Sequence, residues 1–167
     1  ICNVPSMILG NKPTDDGNFI MSPEEKDEIL RKEPALNQYI HPYIGAVEFI
    51  SNKVRYCFWL KDVSPIEIKN SHILYDRVQN VKVFREASTS SATRQKACVP
   101  HEFFFISQPT TNYLIVPSTS SENRRYIPIG FLDDSVVPTD SATIIENAKL
   151  YEFGVLTSNV HMAWMRA

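Results

Sequence analysis

The stretch Tyr43-Ile44-Gly45-Ala46-Val47-Glu48-Phe49-Ile50, Ser51-Asn52-Lys53, Val54-Arg55-Tyr56-Cys57-Phe58-Trp59-Leu60 sets two apolar, β-branched and aromatic runs on either side of a short polar break. Runs of this composition bounded by turn residues read as a β-hairpin, with strands at 43–50 and 54–60. From Tyr56 onward the second run is apolar on both faces, which predicts a covered, central place in its sheet.

Upstream, the segment Gly10-Asn11-Lys12-Pro13-Thr14-Asp15-Asp16-Gly17 is dense in turn formers. Ser22-Pro23-Glu24-Glu25 then supplies an N-cap, a proline at the first helical position and an acid at the capping-box position, so a surface helix is predicted over 23–31. Downstream, Leu74, Val78 and Val81 recur at helical spacing with Arg77, Lys82 and Arg85 on other faces, which predicts an amphipathic helix over 71–86 with a basic side.

After the hydroxyl-rich run Ser88-Thr89-Ser90-Ser91-Ala92-Thr93, strands are expected at 102–107, 113–116 and 125–132. The last is interrupted by Pro128 and Gly130, which implies an edge or a bulge. A short helix over 141–148, an extended piece over 149–153 and a final helix capped by Ser158 complete the reading. The expected class is α+β, with a mixed or mainly antiparallel sheet, a few flanking helices and more strand than helix. One domain, 1–167, is the simplest organisation; residues 1–40 lead into it and 155–167 open a helical part, as in a piece of a longer protein.

The composition fits an ordinary globular domain: 167 residues, 43% hydrophobic, 22% charged, formal net charge -2. No window approaches the roughly 20 apolar residues of a membrane span, and Ile1-Cys2-Asn3-Val4-Pro5 lacks the basic and apolar regions of a signal peptide. Cys2, Cys57 and Cys98 are an odd, widely spaced set, which argues against a disulfide framework and for a reducing, cytoplasmic setting. The small net charge hides an uneven distribution. Residues 1–50 carry 4 basic and 8 acidic side chains, 51–125 carry 11 and 6, and 126–167 carry 2 and 5. A basic middle between acidic flanks suits a polyanion, although solvated helix faces carry such charge without any partner.

Several chemistries lack their residues. There is no Gly-x-Ser-x-Gly elbow, no His-Glu-x-x-His and no Gly-x-x-x-x-Gly-Lys phosphate cradle. Cys98 and His101 are three residues apart, yet no second pair completes a tetrahedral set, so no metal site is expected. Five glycines without a strand-to-helix cluster offer no nucleotide-cofactor turn. Tyr56, Phe58, Trp59, Phe103, Phe104 and Phe105 lie inside apolar runs, and core packing is their expected role ahead of base stacking.

Three strings carry a resemblance. Ser120-Ser121-Glu122-Asn123-Arg124-Arg125-Tyr126-Ile127-Pro128-Ile129-Gly130-Phe131 is followed by Ala148-Lys149-Leu150-Tyr151-Glu152-Phe153-Gly154-Val155-Leu156-Thr157-Ser158 and His161-Met162-Ala163-Trp164-Met165-Arg166. Together with 10–15, 43–50, 56–60 and Phe84-Arg85 in collinear order, they resemble the MmeI-like restriction-modification enzymes. These join a DNA adenine methyltransferase to its own target recognition domain. The family's catalytic Asn-Pro-Pro-aromatic motif and cofactor glycines are missing here, as expected of the recognition part alone.

The resemblance implies a domain that reads base edges of double-stranded DNA in the major groove and presents an adenine to an upstream methyltransferase domain. S-adenosylmethionine would belong to that domain and no cofactor to this stretch, which is not itself catalytic. By the family's motif, alternate positions of the 122–126 cluster face the bases, which nominates Glu122, Arg124 and Tyr126. A second base-contacting stretch falls just before Ala97-Cys98-Val99-Pro100-His101-Glu102-Phe103 and nominates Gln95 and Lys96. These side-chain types suit base readout, since Arg and Lys bond guanine, Gln bonds adenine, and Glu accepts from cytosine. Lys82, Arg85, Arg94 and Arg125 are candidates for the DNA backbone, where contacts position without specifying sequence. The same loop also reads as an exposed charged turn with weak local ion pairs. The functional alternative is a protein-interaction or scaffolding module whose basic middle meets an acidic protein; an RNA-binding reading is weaker, since no RNP-type string is present.

Overall fold

The structure, a computed structural model, describes residues 4–166. Cys2 lies outside them. In chain order the elements are β1 (Ile8–Leu9), β2 (Ile20–Met21), α1 (Pro23–Lys32), β3 (Ile40–Ile44), α2 (Ala46–Ser51), β4 (Arg55–Phe58), α3 (Pro65–Asn70), α4 (His72–Glu86), α5 (Ser91–Gln95), β5 (Tyr113–Pro117), β6 (Gly130–Leu132), β7 (Val137–Pro138), β8 (Ala142–Glu146), α6 (Leu150–Leu156) and α7 (Asn159–Trp164). Two 3-10 turns, Pro34–Tyr39 and Lys96–Cys98, link α1 to β3 and extend α5. The α+β class stands. Among the described residues no helix is long and apolar enough to cross a membrane.

The chain folds as two compact, discontinuous units. In the first, comprising described residues 4–10, 44–53 and 107–166, β1, β8, β5 and β6 form an antiparallel sheet in that order. Alternation along β5 sends Tyr113 and Ile115 to one face, packed with Ile44, Ala142 and Ile144 beneath Phe49 of α2. Leu114 goes to the other face, with Ile145 and Ala148 beneath Phe153 and Leu156 of α6. A strand buried on both faces needs an uninterrupted apolar run, which Tyr113-Leu114-Ile115-Val116 supplies. Gly130 begins β6 because a Cβ there would lie 2.8 Å from Phe49 Cζ.

The second unit comprises 11–43 and 54–106. Here β4 lies between β2 and β3, antiparallel to both, with Cys57 opposite Ile20 and His41. The expected central place of this strand is therefore correct. Phe103 is the hub of the core: it stacks on Phe19 at 5.9 Å between ring centres and meets Trp59 at 5.1 Å and Tyr43 at 6.1 Å edge-on. Helices α1 and α4 appear where the Ser22 cap and the spacing of Leu74, Val78 and Val81 predicted. Ser22 Oγ accepts from Glu25 N–H, and Ser71 Oγ from Leu74 N–H at 3.1 Å.

Several local expectations are corrected. Helical residues outnumber strand residues, because Ser64 and Ser90 cap short helices besides those begun by Ser22, Ser71 and Ser158. The first hairpin strand lies earlier, at β3, and residues 46–51 form α2. Its start is fixed from a distance, Ser141 Oγ accepting from Ala46 N–H at 3.0 Å while Glu48 Oε2 accepts from Gly45 N–H. Residues 102–107 make only the Lys12–Phe105 bridge; the neighbouring Pro13 has no N–H to extend a ladder. The 125–132 strand shrinks to β6, a sheet edge beginning after Pro128, as proline at an edge demands. In place of a helix over 141–148 stands strand β8, recruited by five register pairs with β5, and in place of the extended piece Lys149 caps helical α6.

Candidate nucleic-acid interface

In the first unit, the chain leaves β5 at Pro117 and stays irregular until β6. Arg124 N–H donates to the Ser121 carbonyl at 3.0 Å, and Asn123 N–H to Ser121 Oγ at 3.3 Å, so residues 121–124 form a hydroxyl-supported turn. Residues 118–126 are all exposed. Among the described residues Glu122 makes no hydrogen bond or ion pair, and the Arg124 guanidinium reaches only Ser120 Oγ, at 3.4 Å. A carboxylate acceptor and a forked donor thus stand uncommitted on a short turn anchored to a two-sided sheet.

The rest of the loop is held more firmly. Tyr126 donates its hydroxyl to Asn159 Oδ1 at 2.6 Å, and the Arg125 guanidinium lies 5.5 Å from the centre of the Tyr126 ring. Arg166 Nη2 donates to the carbonyls of Arg124 and of Arg125, the latter at 2.7 Å. Behind the turn is a cleft of about 570 Å³ whose walls include Val116, Ile129, Leu156 and Met162. Asn159 and Arg166 escaped the reading of local pattern. Only Arg166 left a trace, in the matching string at 161–166, since nothing in one sequence shows that a helix 33 to 42 residues away meets this loop.

In the second unit most nominated cations are already engaged. Arg85 is 0% exposed and gives all five of its N–H groups to carbonyls: Nε to Thr14, Nη1 to Lys96 and Val99, Nη2 to Pro13 and Glu102, at 2.7 to 3.3 Å. Its assignment to the DNA backbone is therefore corrected. Arg85 follows Leu74, Val78 and Val81 at i, i+4, i+7 and i+11 and so shares their buried face, and the loops at 13–14 and 96–102 fold over that end of α4. Arg94 Nη1 donates to the Ser88 and Thr89 carbonyls at 2.7 and 2.8 Å. Lys96 Nζ is 3.7 Å from Glu102, and Lys82 Nζ 3.9 Å from Glu86 one helical turn on. Gln95 ends α5 exposed; its main-chain carbonyl accepts from the Cys98 thiol, and its side chain makes no hydrogen bond among the described residues.

Titration shifts are structural in origin. Burial pushes His101 below the ordinary histidine value, opposed by the Glu102 carboxylate and helped by the Arg85 guanidinium. Burial pushes the Cys57 thiol up, the Asp15 carboxylate adding to the effect. Among the described residues no three His, Cys, Asp or Glu side chains converge as a metal site would require. Gly10 and Gly45 are packed against Thr139, where a Cβ would come within 2.2 Å of its carbonyl and hydroxyl oxygens, and Gly130 lies under Phe49. Those glycines serve close approaches within the fold.

Comparison with known proteins bears on the whole chain. The family model described as MmeI, target recognition domain, matches residues 1–167. DNA methyltransferase A of Bacillus subtilis (strain 168) is 35% identical over 167 residues, all of this chain and 19% of that protein. The structure of the Type IIL restriction-modification enzyme MmeI in complex with DNA superposes with a TM-score of 0.95 at 44% identity, covering 99% of this chain and 22% of that one. The chain thus spans about a fifth of the length of each relative. Matched from end to end in sequence and in fold, it belongs to the MmeI target recognition domain family.

Proposed function

We propose that this chain reads duplex DNA in a sequence-specific way on behalf of an adenine methyltransferase in the same polypeptide. The observation that carries the reading is the exposed turn in a chain of this family: Glu122 and Arg124 are its least committed charged side chains and are carried on a buried sheet. Glu122 accepts from the cytosine amino group and Arg124 donates a fork to guanine O6 and N7 in the major groove. Gln95, uncommitted at the end of α5, supplies a second readout group, with Lys96 beside it. Lys82, Arg94 and Arg125 contribute phosphate attraction, which falls with salt. The target adenine is extruded towards the upstream catalytic domain, where S-adenosylmethionine supplies the methyl group. The setting is the bacterial cytoplasm, where such enzymes meet DNA.

The test is made on the full-length protein, expressed in a host without DNA methylation, with methylated adenines mapped across the genome. One short motif modified at nearly every occurrence is expected. Lys82→Ala is expected to weaken modification of all sequences alike. A soluble parent that binds its cofactor and leaves DNA unmodified would defeat the proposal and favour a protein-interaction role.

A further inference from the structure

We infer that Asn159 and Arg166 are positioning residues that fix the direction in which Glu122 and Arg124 face, an inference that rests on the base-reading role of the turn. Between Ser118, whose N–H donates to the Ser141 carbonyl, and Gly130, where β6 begins, the loop's own hydrogen bonds join only residues 120–124. A free loop of that length spreads its side chains over many directions, and ordering it costs conformational entropy. The C-terminal helix removes that freedom at two points.

Asn159 and Arg166 are seven residues apart, so two helical turns bring them to one side of α7 and its C-terminal continuation. Ser158 Oγ accepts from His161 N–H, and Met162, 3% exposed, anchors the helix. From this support Asn159 receives the Tyr126 hydroxyl, and Arg166 grips the carbonyls of Arg124 and Arg125. The grip falls on the main chain of the very residue whose side chain reads. It also moves Tyr126 from the base-reading set to the clamp, since its hydroxyl is used within the fold. Alternate residues of the turn are thereby free to face DNA while the backbone between them is held.

The full-length methyltransferase provides the test, with cognate and one-mismatch sites compared by genome-wide methylation mapping. Arg166→Ala is expected to lower discrimination about tenfold, as for loss of charge-assisted hydrogen bonds, and only at the position that Arg124→Ala relaxes. Arg166→Lys should restore part of it. Tyr126→Phe removes one hydroxyl from a half-exposed ring and is expected to cost roughly fivefold, with no further loss when Asn159→Ala is added. A clamp that is only structural would lower the melting temperature without shifting the motif. Equal weakening on all sequences, with a shallower salt dependence for Arg166→Ala, would mark a phosphate contact and overturn the inference. If Arg124→Ala relaxes the motif while Arg166→Ala and Tyr126→Phe leave it intact, the clamp alone fails. If Arg124→Ala changes nothing, the base-reading role fails and takes the clamp with it.

Discussion

In the second unit Arg85 gives five N–H groups to carbonyls of its own chain, Arg94 gives one nitrogen to two more, and Lys96 and Lys82 stand beside carboxylates. In the first unit Arg124 has one long contact, to a serine hydroxyl, and Glu122 has none among the described residues. Both regions offer cations in the sequence, on a helix face in one and on a turn in the other. Saturated donors hold a fold together, whereas unsaturated donors on a held backbone remain available to an outside acceptor, and only the second kind can carry sequence information.

Removing the saturated arginine should give the largest effect. Arg85→Ala leaves the Thr14 and Glu102 carbonyls without that donor and opens a hole at the end of α4, so a loss of about 3–5 kcal/mol in stability is expected. Urea unfolding with hydrogen exchange of the 82–102 amides would measure it, and a loss below about 1 kcal/mol would break the contrast. Arg124→Ala is the counterpart: stability should stay within about 0.5 kcal/mol, while discrimination at one base position falls by about 1–3 kcal/mol. Equal losses on cognate and scrambled duplexes would refute the readout role. Ser71→Ala, at a buried cap bonded to Leu74 N–H and to Glu33, should cost about 1 kcal/mol in the second unit and leave the recognised motif unchanged.

The smallest expected effect is a pH dependence. His101 is held below the ordinary histidine value, so the folded second unit favours its neutral form. Above that ordinary value both states are neutral and the contribution is full; as pH falls through it towards the depressed value, the unfolded chain takes up the proton first and stability declines. His101→Gln should flatten the slope between about pH 7 and 5, measured by unfolding at several pH values. An unchanged slope would show that His101 is not the group responsible.

The starts of α1, α4 and α7 could be read directly, because a serine oxygen satisfying an N–H three residues on is a local event. The central place of β4 was equally legible from a run apolar on both faces, and β5 from its apolar run. Residues 46–51 were not, since the oxygen that accepts Ala46 N–H comes from Ser141, 95 positions away. Nor was β8, which is strand because β5 offers it a partner, whereas its own composition allows a helix. Arg85 misled through its charge: spacing sets it on the buried face with Leu74, Val78 and Val81, but only the packed loops reveal the carbonyls that accept from a buried guanidinium.

The class, the capped helices, the buried strands and, through the matching strings, the family and the candidate turn thus follow from the order of the residues. Which cations are consumed within the chain and which remain free follows only from its packing. Hydrogen-bond capacity is finite, and the carbonyls that use it up are brought near only when distant segments pack.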